Sequence, residues 1–509
     1  MRRKIWQFAI AFGSALCITG CGDMENRSEA TEAVIEETTQ EETTEEPTTE
    51  EPTTPDPSYE LWEEVTYADV DYGAVEAVYE SKYDEIENKQ LEIEQEMEHP
   101  ALYITTEDGR TKKDKEYSPV IVDLVNCDEE YELNGVHSEI KVRGNSSAQS
   151  SPYPYRLKFE EKVNLLGLND GQEYRSWVLL KPYWTFCPNF LALNIANTLF
   201  DGDYYVSDCE YVNLYMNGKY IGLYLLCEQN QVNEGRVEVA EPEYGNTDTR
   251  VGYFIEMDNN EGEDHPYFDV YYGERSFTDM EGTTEEIQKD HISIISDICC
   301  DAQMNFIEKY YNGVFEIAWA AIEEDKAMTF DEDYNVIPAE DISTEEAVRA
   351  VLDIQSVINM LTLEELVQNY VVGAGSFYFC VDFSEGAKYD RLTMTCPWDF
   401  NWAYEKDANK NYYASTWQPT NDGYDRSNIW FMLLMKADWF RKEFYSNWDQ
   451  VVESGKLDAT LDAVLEHVEL YRNDLGDDNW MIDQSYNIVD FVKNRMKFLS
   501  KESKKFFEE

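Results

Sequence analysis

The chain has 509 residues and a formal net charge of −63, from 104 acids against 41 lysines and arginines. So acidic a surface repels phosphate backbones and anionic headgroups, which excludes nucleic-acid binding and favours basic or cation-bridged partners. Hydrophobic residues at 43% and aromatics at 14% are enough to fill a substantial core.

The first 21 residues read as an export signal. Met1-Arg2-Arg3-Lys4 is a positive start, and "IWQFAIAFGSALCITG" is an apolar stretch too short to span a bilayer comfortably. It ends in Ile18-Thr19-Gly20-Cys21, small residues before a thiol that accepts diacylglycerol. The expectation is a lipoprotein, exported and held to the outer face of a bacterial membrane by Cys21 alone.

Residues 22–60 are a tether rich in Glu, Thr and Pro. Between Asp23 and Glu60 stand 14 acids and one base, Arg27, with almost nothing to bury. About −50 of the charge therefore stays on the rest of the chain. Residues 61–99 read as a helical lead-in closed by Pro100, and residues 100–505 as one domain.

Within that domain the patterns follow in order. "ALYITTEDGR", "SPVIVDLVNC", "SEIKVRGNSS", "YRLKF" and "SWVLL" read as strands with turn punctuation, and "NFLALNIANTLF" as a helix. "YVNLYMNGKYIGLYLLCEQ" reads as a hairpin about Asn217-Gly218, the favoured pair for a tight turn. "RVGYFIEMD" is a further strand. Helical patterns dominate from about 284 to 375, and "SFYFCVDF" with "RLTMTCPWDF" forms a second strand pair. After 428 the chain reads as helical, with 430–454 amphipathic throughout. The fold class expected is α+β, a mixed or antiparallel sheet flanked by helices with a helical C-terminal part.

Eight cysteines lie beyond Cys21, with no Cys-x-x-Cys and no compact disulfide framework, so they read mostly as small buried hydrophobes. The five histidines are scattered and suggest no zinc site. "YYASTWQPTNDGYD" (412–425) is rich in rings and reads either as an ordered surface loop or as a platform for a sugar or partner.

Two stretches carry chemistry. "KVRGNSS" (141–147) sets Lys141 and Arg143 on alternate strand positions before a loop whose amides and hydroxyls, at Asn145 and beyond, suit an anion. "PWDFN" (397–401) places Asp399 and Asn401 where a metal corner would carry two acids. With "YRLKF", "LLGL", "WVLL", "VNLYMNGKYIGLYLLCEQNQVNEGRV" and "VGYFIEMD" in that order, the chain resembles the CotH kinase family, named for a bacterial spore-coat protein. The resemblance covers roughly residues 100–500. It implies a divergent protein-kinase-like fold that moves the ATP γ-phosphate onto Ser or Thr with Mg²⁺ or Mn²⁺. It implies Arg143, Asn145, Lys158 and Lys181 as nucleotide contacts, Asp399 and Glu228 as catalytic acids, and Asp399 with Asn401 at the metal.

The chain departs from the family pattern at four places. Pro152 and Tyr153 stand where a basic pair is usual, leaving Lys158 or Arg156 as substitutes. After "WVLL" the usual acid and base are out of register, with Lys181 nearby. Val371 falls near an expected acid, with Asn369 the nearest polar group, and Asn401 replaces the second metal acid. Three readings stay open: a divergent kinase for exported proteins, a pseudokinase that binds an envelope protein or glycan, and a structural spacer.

Overall fold

The computed structural model describes Tyr83, Ile86, Ile93 and residues 97–508, except 145–146, 182–186, 260–264, 274, 279–281, 283, 287–288, 370, 405–411 and 416–427. Cys21, the tether and nearly all of the helical lead-in lie outside the described residues, as do Asn145 and most of the 412–425 stretch. No helix among the described residues is long and apolar enough to cross a membrane.

Seven strands close a barrel: β1 (Ala101–Thr106), β2 (Ser118–Val125), β3 (Leu133–Val142), β4 (Tyr155–Val163), β5 (Tyr174–Leu180), β6 (Cys209–Met216) and β7 (Lys219–Glu228), in the spatial order 1-2-3-4-5-7-6. Six of the pairings are antiparallel, and the closing one, β1 with β6, is parallel. The first part of the mixed or antiparallel sheet expected from the sequence is thus a closed barrel. Ile140, Val142, Tyr155, Leu157, Trp177 and Leu226 are among the side chains that fill it. Asn217 and Gly218 both take positive φ (53° and 78°), as the tight β6–β7 turn demands.

The alternation that sends these residues inward sends Lys141, Arg156 and Lys158 outward from β3 and β4. On β5, β6 and β7 the outward residues Val178, Cys209, Tyr211 and Cys227 are apolar and enter a second, larger core. One side of the barrel is therefore glued to the rest of the molecule, and its β3–β4 side keeps charge.

Helix α1 (Pro188–Phe200) interrupts the barrel strands and packs on that second core. The body beyond is built on an antiparallel sheet ordered β16-β15-β8-β12-β9. Its strands are β8 (Gly252–Met257), β9 (Tyr267–Tyr271), β12 (Lys289–Ile294), β15 (Phe377–Asp382) and β16 (Thr393–Thr395). Two short ladders, β10 (Ser276–Thr278) with β11 (Thr284–Glu286) and β13 (Met328–Phe330) with β14 (Val336–Pro338), stand apart from it. The helical reading of 284–375 thus fails at its start, where β11 and β12 lie, and again at the β13–β14 ladder, and it holds for α2 (Asp301–Glu323), α3 (Thr344–Val351) and α4 (Ile354–Val367).

Local chemistry marks these helices. Ser343 and Glu346 form a reciprocal capping box on α3, and the Asp353 side chain caps α4. The last four helices are α5 (Ile429–Leu434), α6 (Asp438–Ser454), α7 (Lys456–Leu470) and α8 (Trp480–Glu508). The amphipathic stretch at 430–454 is thus two helices, and α5 is buried on every side.

Candidate active site at the junction of barrel and body

Arg143 follows β3 directly and is partly exposed. Its guanidinium stands 5.8 Å from the Trp398 ring and makes no hydrogen bond or ion pair with a described residue. Burial, and next the charge of Arg156, pull it below its ordinary value, opposed by Tyr378 and Asp399. Arg156 lies opposite Lys141 across the β3–β4 ladder and beside the Tyr117 hydroxyl. Its Nε is buried and has no partner. Two adjacent arginines with donor capacity unmet suit an anion.

The acids face them from the body. Asp399 has φ 61°, between Cys396 at 52° and Tyr404 at 64°. Left-handed Cys and Tyr residues cost on the order of 1–3 kcal/mol each, so neighbouring bonds must hold this stretch. Cys396 N–H donates to the Tyr205 carbonyl (3.2 Å) and Tyr404 N–H to that of Val367 (2.8 Å). Asn189, in the first turn of α1, accepts from Phe400 N–H at 2.9 Å and donates to Asn401 Oδ1 at 2.9 Å. Asn401 in turn donates to Asp399 Oδ1 at 2.8 Å, and Asn369 donates to the Asp399 carbonyl at 3.2 Å. Burial pushes the Asp399 carboxyl above the usual carboxylate range, and Arg143 pulls it back.

Glu256 on β8 sits opposite Tyr378 of β15 and hydrogen-bonds to it. Its carboxyl is pushed up to about 8, first by burial and then by Asp258, against the pull of Tyr378 and Arg143. Asp399 also raises it, so Arg143, Asp399 and Glu256 share one electrostatic neighbourhood.

The other residues expected at the site stand differently. Glu228 is fully buried: its Oε1 accepts from Arg236 Nε (3.0 Å) and Asn169 Nδ2 (2.9 Å), and its Oε2 from Asp208 N–H (3.1 Å). Lys181 Nζ donates to the Ser150 carbonyl at 3.0 Å. Lys158 is exposed, with Nζ 6.0 Å from the Tyr117 ring. Tyr153 packs against the barrel core, and its carbonyl accepts from Tyr224.

Residues 140–499 match the family model described as CotH kinase protein. The chain belongs to the CotH kinase family. A search of the curated proteins found no match. Resemblance to the family implies ATP and a divalent metal, and the residues here fit the two unequally. The arginine pair fits a polyphosphate. Among the described residues no group of three or more His, Cys, Asp or Glu is arranged to hold a metal. Asn401 Oδ1, the oxygen expected at the metal, is engaged by Asn189. Asp399 would hold a cation only together with phosphate oxygens and water, as magnesium sites often do.

Sequence reasoning missed Glu256 and Asn189. The first carried a signal, a lone acid in the otherwise apolar run "GYFIEM". The second carried none, because an Asn at a helix start reads as an ordinary terminal residue.

Proposed function

We propose that this CotH-family chain is an exported lipoprotein anchored through Cys21, whose junction site binds the polyphosphate of ATP. On this reading it has lost most of its phosphoryl-transfer chemistry and serves at the envelope by recognising a protein or glycan. On this reading the barrel that bears the cations and the helical body that bears the acid would serve as the two parts of a divergent protein-kinase-like fold. The observation that carries the reading is the imbalance at the junction. Arg143 makes no ion pair with a described residue and the Arg156 Nε lacks a partner, while Asn401 stands where phosphoryl transfer calls for an acid and Asn369 is the polar group nearest another such place.

The residues divide the work accordingly. Arg143 and Arg156 would hold phosphate oxygens, and Asp399 would share a divalent ion with them. The ion supplies charge neutralisation on the phosphates when bound. An amide accepts no proton, so Asn369 orients the Asp399 backbone and activates no hydroxyl. Each lost charge-assisted contact to a transferring phosphoryl group costs about 10²–10³ in rate.

Titration of ATP with Mg²⁺ and with Mn²⁺ by calorimetry tests this reading, alongside Arg143→Ala and Asp399→Ala. Micromolar to submillimolar binding that Arg143→Ala weakens roughly 10- to 100-fold, with no phosphate incorporated into Ser or Thr of envelope proteins, is the expected result. No heat at millimolar ATP with either metal would overturn it.

A second reading, a slow Ser/Thr kinase for exported proteins, is favoured by Glu256. Its carboxyl, near Arg143 and Asp399, is pushed up to about 8, basic enough to take a hydroxyl proton. Phosphate incorporation that rises as the pH passes through about 8 and vanishes in Glu256→Gln would establish it.

A further inference from the structure

Cys209 and Cys227 lie directly opposite each other on β6 and β7. One residue on, Glu228 N–H donates to the Asp208 carbonyl at 3.1 Å. In an antiparallel ladder that bond marks the neighbouring pair as hydrogen-bonded and leaves Cys209 with Cys227 as a pair without direct backbone bonds. At such a pair the Cα atoms approach to about 4.5 Å and the side chains are closest. A disulfide accepts Cα separations of about 4.4–6.8 Å. Both side chains leave the barrel on its outer face and both enter the core against α1, where Cys227 Sγ donates to the Leu225 carbonyl at 3.9 Å. All eight described cysteines are thiols in the structure, and among the strand registers no other two stand opposite each other.

We infer that Cys209 and Cys227 are a disulfide site, at which oxidation joins β6 to β7 by a covalent staple beside the buried Glu228–Arg236 pair. This goes beyond the nucleotide reading and does not depend on it. The chemistry is thiol–disulfide exchange with an external disulfide, carried by a thiol oxidoreductase or a small molecule. One cysteine thiolate attacks the external disulfide and forms a mixed disulfide. The second cysteine displaces the remaining external sulfur. Two protein S–H bonds are exchanged for one S–S bond, and the external disulfide leaves as two thiols carrying the two protons.

Timing follows from topology. The β6–β7 hairpin is local and has its own turn, so its register forms before distant elements cover it. In the folded chain Cys209 is 7% exposed and Cys227 is fully buried. The neighbouring Cys227 thiol and then burial push the Cys209 thiol well above its ordinary value, so the folded dithiol reacts slowly. The pair closes during folding and is then sealed.

The test has two arms, both read by peptide mass. In the first, the full chain is recovered from the envelope of an expressing bacterium, denatured without reductant and alkylated. In the second, the reduced chain is refolded in a buffer of reduced and oxidised glutathione before the same treatment. The inference expects Cys209 and Cys227 unlabelled and joined in one cross-linked peptide in both arms, with Cys380 and Cys396 labelled. Full alkylation of Cys209 and Cys227 after refolding, or either one bridged to another cysteine, overturns it. A bridge that forms on refolding but is missing from the recovered protein upholds the site and counts against export to an oxidising compartment.

Discussion

The surroundings of Glu228 and of Asp399 contain the same kinds of residue in different states of satisfaction. At Glu228 both carboxylate oxygens are matched, and Arg236 also donates to the Ser176 carbonyl and stacks 3.6 Å from the Tyr174 ring. At Asp399 the carboxylate is held only by neutral donors, the side chain and backbone N–H of Asn401, and Arg143 stands nearby without an ion pair to a described residue. The helical body repeats the first pattern. Arg495 reaches fully buried Glu365 at 2.8 Å, and Glu365 also accepts from the N–H groups of Tyr413, Ala414 and Ser415. A buried charge with every bond made holds a fold, and a charge left short of partners is available to a ligand. The family resemblance treated Glu228 and Asp399 alike, whereas their hydrogen bonds separate them.

This contrast is easiest to break at the sealed pairs. Arg495→Ala leaves Glu365 buried without its cation and loosens the 413–415 segment that Glu365 holds. We expect a loss of about 3–5 kcal/mol in denaturant unfolding, with Arg236→Ala similar in the barrel. An unchanged midpoint in both would show that these pairs are not structural.

Glu228→Gln keeps shape and some hydrogen bonds, and should cost about 1–3 kcal/mol. The folded fraction should bind ATP as the parent chain does. A selective loss of binding at unchanged stability would return Glu228 to the site.

At the junction the expectation reverses. Arg143→Ala should leave the unfolding midpoint within about 0.5 kcal/mol. It should weaken nucleotide binding by roughly 10- to 100-fold, the loss expected of a charge-assisted contact. Calorimetry and melting on the same sample separate the two effects.

The junction also predicts a pH dependence. Folding holds the Glu256 carboxyl at about 8, above its unfolded value of 4.5. The folded state therefore binds more protons between these values, and this group's contribution to stability falls as pH rises from about 5 to 8. Glu256→Gln should flatten that part of the stability curve, as a midpoint series from pH 5 to 9 would read.

Much of the fold was legible because its signals are local. Asn217-Gly218 announced its hairpin, the alternating strands from "ALYITT" to "SWVLL" stand where expected, and the "NFLALNIANTLF" helix is α1. The errors arose where local pattern underdetermines structure. The run at 284–294 is polar enough to pass for helix, yet β12 is held between β8 and β9. The amphipathic reading of 430–454 missed the break at Met435–Ala437, because α5 has apolar neighbours on all sides and needs no polar face.

By itself the sequence determined the order of strands, the tight turn, the acidic surface and the family motifs, all properties of neighbouring residues. Only the tertiary structure decided that β1 meets β6 in parallel more than 100 residues later and closes the barrel. It also decided which charges found partners. Arg236 and Arg495 look no different in the sequence from Arg143, and the difference lies in how many donors and acceptors the packed chain brings within about 3 Å of each.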